Sequence, residues 1–155
     1  MRTALAIVLL PLLAVTTLSA GKRHCTLRLH VEGNANDGAV FSTQLKSQYT
    51  GKEVVIQKIA SVSENDVVAF YPLPAADGTF GALFQLDEHG KLALDTLSIE
   101  KRGTDLFVFV NGRPLTEFQI DRRISDGKIY IASGLTAADI EAMKKDWRVI
   151  GQRRK

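Results

Sequence analysis

An apolar run near the start of the chain gives way to short alternating segments. Cys25-Thr26-Leu27-Arg28-Leu29-His30-Val31 places Cys25, Leu27, Leu29 and Val31 on one face and Thr26, Arg28 and His30 on the other. That period of two predicts a half-buried strand. Gly33-Asn34-Ala35-Asn36-Asp37-Gly38 is turn chemistry, and Val40 to Tyr49 fits either a short helix or irregular chain. The stretches 53–59 and 66–71 are rich in β-branched and aromatic residues and predict two more strands, the second ended by Pro72 and Pro74. After Ala76-Asp77-Gly78, residues 80–86 again read as a strand. Asp87 is placed to cap a helix carrying Leu92, Ala93, Thr96, Leu97 and Ile99 at three- and four-residue spacing, closed by Gly103. Residues 106–110 are continuously apolar, as in a strand buried on both faces, and Asn111-Gly112 behind them is a strong hairpin signal. A return arm passes through Phe118 and Ile120, and Ser125-Asp126-Gly127 turns the chain into a strand over 128–131. Thr136 then caps a last helix with Asp139 at its third position. Leu135 and Ile140 staple its start, and Ile140, Met143, Trp147 and Ile150 run along its apolar stripe. The expected class is α+β, a mostly antiparallel sheet of at least five strands with two helices packed on one face.

The opening run concerns location rather than fold. Arg2 precedes an apolar run of about a dozen residues, Ala4 to Val15, broken by Pro11 and followed by Thr16-Thr17-Leu18-Ser19-Ala20-Gly21. It falls short of the ~20 residues that span a bilayer, so the pattern is that of a removed secretory signal over 1–20, cut after Ala20 or Gly21. Lys22-Arg23-His24 separates the small residues from Cys25, which argues against lipidation. Charged residues interrupt every later apolar run, so the mature chain is expected to have no transmembrane segment and to be exported, periplasmic or extracellular. It divides into N-terminal strands over 21–79, a second region over 80–147 and a basic tail over 148–155, all within one domain.

Composition narrows the function classes. With 155 residues, 45% hydrophobic and 24% charged, the chain is sized for one ordinary core. A single cysteine supplies neither an internal disulfide nor a cysteine-rich zinc site. Twenty Lys and Arg against 17 Asp and Glu leave a net charge of +3, far from the field of a nucleic-acid binder.

Candidate chemistry is sparse. His24, Cys25 and His30 lie close in sequence, but His24 and His30 would stand roughly 20 Å apart along a strand, with Cys25 turned into the core, so no metal site is expected there and no cofactor is implied. His89, beside Glu88 at a helix start, reads as surface. No nucleophile elbow, dinucleotide fingerprint or phosphate-binding loop occurs. The acids Asp87 with Glu88, and Asp105 with Glu117, stand near turns and caps, where carboxylates are common. Lys101, Arg102, Arg113, Arg122, Arg123, Lys144, Lys145 and Arg148 make the second half basic, interleaved with Asp105, Glu117, Asp121 and Asp126. The aromatics Phe70, Phe80, Phe84, Phe107, Phe109, Phe118 and Tyr130 fit a core better than a base-stacking platform.

The order of elements from Phe84-Gln85-Leu86-Asp87, through Gly90, Leu92, Thr96, the strand Leu106 to Val110, Asn111-Gly112, Ile120, Ile124, Asp126-Gly127, Ile129 and Ile131, to Ser133-Gly134-Leu135-Thr136 and Ile140 resembles the head subdomain of the first periplasmic domain of the preprotein translocase subunit SecD. The resemblance covers about residues 80–147. It implies an α+β fold outside the membrane and a part in handling a polypeptide emerging from the channel. Three departures bear on what transfers. The membrane bundle that couples SecD to the proton gradient has no counterpart in this sequence, Asn111 stands where the family has Asp, and residues 24–75 do not resemble the companion base subdomain.

Two readings follow. In the first, the protein is an exported, non-catalytic module that contacts a polypeptide or an envelope protein through a sheet edge, the hairpin at 109–115 or a basic rim. The candidate contact residues are Arg113, Leu115, Arg122 and Arg123, with peripheral contact to a membrane surface also open. The second is an exported enzyme of unrecognised type, its polar groups gathered in a cleft with His30 or His89 and a carboxylate. A structural accessory of an envelope assembly is a blander form of the first.

Overall fold

A computed structural model describes residues 23–152, and the signal sequence expected over 1–20 lies outside them. The elements run β1 (Leu27–Val31), α1 (Gly38–Phe41), β2 (Ser42–Lys46), β3 (Glu53–Gln57), β4 (Val67–Pro74), β5 (Phe80–Leu86), α2 (Glu88–Glu100), β6 (Asp105–Val110), β7 (Arg113–Gln119), β8 (Lys128–Leu135), α3 (Ala137–Asp146) and β9 (Arg148–Val149). The class is α+β. Its strands divide among three sheets, ordered β1-β6-β7, β2-β3 and β8-β5-β4-β9. Every named pairing is antiparallel except β4 with β9.

Local chemistry sets most boundaries. Asp87 accepts the Gly90 amide to start α2. Thr136 and Asp139 form a reciprocal capping box at α3, satisfying amides that a helix start leaves unpaired. Asn111 and Gly112 both hold positive φ, 50° and 77°, the geometry of a tight hairpin between β6 and β7. β6 buries Leu106, Val108 and Val110 on one face and Phe107 on the other, which is why its apolar run continues without alternation.

One core joins the two larger sheets and both long helices. Cys25, Leu27 and Leu29 of the first strand region meet Phe70, Phe84, Ile129 and Ile131 of the second sheet, with Leu94 of α2 and Ile140 and Met143 of α3. Each large apolar side chain withdrawn from water contributes roughly 1.5–3 kcal/mol, so this cluster dominates the stability.

Four expectations are corrected here. Pro72 lies inside β4 and Pro74 is its last residue, opposite Ala82 and Phe80 of β5. Phe70 turns its carbonyl away from β5, accepting the Ile150 amide, and Pro72 and Pro74 face the same way. β9 reaches only Ala69 and Phe70, so neither proline leaves a ladder bond unmade. α2 buries Gly90, Leu94 and Ser98, while Leu92 and Ile99 are exposed. The helix approaches so closely at Gly90 that a Cβ there would stand 2.7 Å from the Asp66 Cβ, and this contact selects the face. α3 ends at Asp146; Trp147 adopts extended backbone, and its ring meets Phe70 and Phe84 edge-on at 6.2 and 5.9 Å. Ile150 is therefore outside the helix, behind the strand β9. Tyr130 is exposed rather than part of the core.

Candidate functional site

The titratable groups singled out in the sequence serve mainly as ties between elements. Cys25 is fully buried, and burial first, then the nearby Asp139 and Asp146 carboxylates, push its thiol up to about 12. At neutral pH it is a small apolar residue. Asp146 accepts the amides of His24 and Cys25 at 2.6 and 2.9 Å and the His24 Nδ1 at 2.8 Å, fastening the start of β1 to the end of α3. Burial raises its affinity for a proton, but those hydrogen bonds outweigh burial and hold the carboxyl below its ordinary value. His30 contacts the Gln57 carbonyl at 2.8 Å and packs edge-on against Phe109.

His89 has more company than a plain surface residue. Its Nδ1 lies 2.7 Å from Asp66 Oδ1, and Asp66, Asp87 and His89 bring one potential ligand atom each within 4.8 Å of one another. Asp66 Oδ2 takes the Ser63 amide and hydroxyl, and Asp87 Oδ1 takes the Gly90 amide. These acids thus cap helical turns, at the positive end of α2 where a cation is disfavoured.

The principal concavity is a cleft of about 740 Å³ between the edges of two sheets. β7 is the edge of the first sheet and β8 the edge of the second. The two strands meet at one end, where the Leu115 side chain packs over Gly134 and Arg113 donates to the Gly134 carbonyl. They diverge toward Gln119 and Lys128, and residues 121–126 close the gap between them. The walls draw on both faces of the second sheet. Ile129 and Ile131 come from its buried face, Leu83 and Tyr130 from its outer face, and Phe118 and Ile124 from across the gap.

Main-chain directions around this cleft follow from the ladder. Gly127 O accepts the Leu86 amide at 2.9 Å, which turns Gly127 toward β5 and, by the period of two, Ile129 and Ile131 as well. Lys128 and Tyr130 therefore turn their main-chain groups into the cleft. The Lys128 amide is taken by Asp126 Oδ1 at 3.1 Å, whereas the Tyr130 N–H and C=O have no partner among the described residues. A register shift beyond Ile131 ends the regular edge.

Of the four candidate contact residues, Arg122 and Arg123 line this cleft, and Arg113 and Leu115 sit at its closed end. Arg113 is ion-paired with the buried Asp139, which also accepts from Asn111 Nδ2 at 2.8 Å. Arg123 grips Asp95 through two bonds of 2.6 and 2.7 Å. Arg122 is exposed and makes no ion pair among the described residues. Sequence reasoning missed Tyr130, Phe118 and Ile124 as cleft residues. Their alternation with buried neighbours was visible, but the absence of a strand beyond β8 was not.

The chain matches no protein-family model and no curated protein. Solved structures that align with it include two of SecDF. One is SecDF in its super-membrane-facing form, at a TM-score of 0.55 and 11% identity over 81% of this chain and 19% of that one. The other is a structure of SecDF described as a membrane component that enhances protein export, at a TM-score of 0.55 and 12% identity over 86% of this chain and 70% of that one. The fold is SecD-like. The chain spans about a fifth of the first of these structures, so the likeness is to a segment of SecDF. It also extends past the region 80–147, since 81% or more of the chain aligns. Among the described residues no helix is long and apolar enough to cross a membrane.

Proposed function

We propose that this protein is an exported, non-catalytic polypeptide-binding domain that assists protein translocation outside the membrane, with the cleft between β7 and β8 as its contact surface. The observation that carries this reading is the cleft itself, a concave surface of about 740 Å³ bounded by two sheet edges in a SecD-like fold. Its mixed apolar and polar walls suit an extended chain better than a compact partner. His89 with Asp66, and His30, the pairings an enzyme reading would need, do not line it. Arg122 and Lys128, exposed on the cleft and in no ion pair among the described residues, are free to meet an acidic group on a partner, while Arg113, Arg123 and Leu115 shape the rim and the closed end.

The test places photo-crosslinkers at Arg122, Tyr130 and Leu115 in the exported protein inside its own cell. Capture of translocon subunits or of many unfolded exported chains from Arg122 and Tyr130 is the expected result, reduced by Arg122→Glu. Absence of capture at the cleft positions, with crosslinks elsewhere, overturns the reading.

A further inference from the structure

We infer that the polypeptide is held as an added β-strand on the cleft edge of β8, centred on the unpaired main chain of Tyr130; this rests on the cleft being the polypeptide-binding surface. Three observations point to main-chain recognition. First, Tyr130 presents an N–H and a C=O to the cleft, and the Lys128 carbonyl lies beside them with the same direction, the spacing one extended segment needs to pair.

Second, the cleft reaches round both faces of the β8 edge. An added strand sends alternate side chains to opposite faces. Those on one side would meet Ile129, Phe118 and Ile124, and those on the other Tyr130 and Leu83. A groove that received only side chains, or a single helix face, would have no use for walls on both sides of a strand.

Third, the rim mixes both signs of charge, with Arg122, Arg123 and Lys128 against Asp121 and Asp126. What different polypeptides share is their main chain, so a rim of mixed charge beside unpaired main-chain groups fits an extended segment of loosely constrained sequence.

The test uses the protein as its cell delivers it and, as probe, reduced and carboxymethylated lactalbumin, which stays unfolded. Amide hydrogen exchange is followed by NMR with and without the probe. The expected result is that exchange at Tyr130 slows by about tenfold or more, the worth of one main-chain hydrogen bond. Tyr130→Pro removes the outward N–H without touching the β5 ladder, and should weaken probe binding by about tenfold more than Tyr130→Ala, which loses the same side chain but keeps the N–H. If the probe shifts Phe118 and Ile124 resonances but leaves Tyr130 exchange unchanged, strand addition is overturned and the cleft reading stands. If no cleft resonance moves, the cleft reading fails and the inference falls with it. Should Tyr130→Pro not fold, the exchange measurement on the unaltered protein decides alone.

Discussion

The sheet β8-β5-β4-β9 and the ribbon β2-β3 are both antiparallel β structure, yet they are held by different forces. The first buries Phe70, Phe84, Ile129 and Ile131 beneath α2, α3 and the first sheet. In the ribbon only Ser42 and Ile56 are buried, and Val40, Phe41, Tyr49 and Ile59 on or beside it are 61–77% exposed. What holds the ribbon is a set of polar contacts. Glu117 of β7 accepts from the Ser47 hydroxyl and, at 3.1 Å, from the Tyr49 amide. Gln48 donates to the Pro114 carbonyl, and Gly33 donates to the Val55 carbonyl. Apolar burial sums over a whole cluster, whereas each hydrogen bond nets about 1 kcal/mol against water. The sheet should therefore melt with the molecule, and the ribbon should open by itself.

The widest gap between the two regions should appear on truncating one aromatic in each. Phe84 is fully buried between Phe70 and Trp147. Phe84→Ala is expected to cost roughly 3–5 kcal/mol in urea unfolding. Phe41 is 61% exposed, and Phe41→Ala should stay within about 0.5 kcal/mol. A Phe41→Ala cost near that of Phe84→Ala would show that the ribbon belongs to the cooperative core.

A smaller effect comes from the carboxylates that tie the core elements together. Burial raises the proton affinity of Asp66 and Asp139, but hydrogen bonds outweigh it and hold both below the ordinary value. For Asp66 the donors are Ser63 and His89; for Asp139 they are Thr136 and Arg113. Asp146 is lowered in the same way. A lowered carboxyl stabilises the fold above its unfolded value of about 3.9, and that stability is lost as pH falls through the lower folded value. Unfolding free energy should accordingly decline on acidification below about pH 4. Asp139→Ala is expected to cost roughly 2 kcal/mol at neutral pH and to shallow that decline, since it removes the acceptor for the Thr136 amide and hydroxyl and the carboxylate that Arg113 and Asn111 bind. His89 works in the opposite sense. Its hydrogen bond and charge pairing with Asp66 raise its affinity for a proton, so its contribution is present below about pH 6.5 and fades as pH rises through the folded value. An acid limb unchanged by Asp139→Ala would mean that the capping box does not carry the linkage.

The same division of forces explains what was legible in the sequence. Asp87, the Thr136 and Asp139 box, the Asn111-Gly112 turn and the alternation from Cys25 to Val31 all act within about four residues, and each was readable in place. The buried face of α2 was not, because Leu92 and Ile99 form as good a stripe as Leu94 does. Only the approach of Asp66 to Gly90 selects between them. Pro74 does end β4, but Pro72 reads as a strand end only because the sequence does not show that β9 stops short of it. Trp147 leaves the helical stripe to meet Phe70 and Phe84, a packing event with no local signal. The cleft was the least legible feature, since it exists where two edges from distant parts of the chain diverge. Arg122 and Arg123 stand out in the sequence by their charge and their place at the end of the return arm, and Tyr130 reads as part of a core that it faces away from.

The finest distinction concerns how the ribbon meets the cleft. Tyr49, at the ribbon's turn, lines the cleft and lies 3.1 Å from the Thr116 hydroxyl, so the polar contacts that dock the ribbon also set one cleft wall. Glu117→Ala removes the shared acceptor for Ser47 and Tyr49 and is expected to cost about 1–2 kcal/mol, because the Ser47 hydroxyl left without it is buried. Amide exchange over 47–52 should then accelerate by about tenfold while amides of β4 and β5 hold their protection. If exchange rises equally in both regions, the ribbon is coupled to the core and the cleft wall is rigid. If it rises in the ribbon alone, one side of the binding surface can swing on a few hydrogen bonds while the strand that would receive the polypeptide stays fixed.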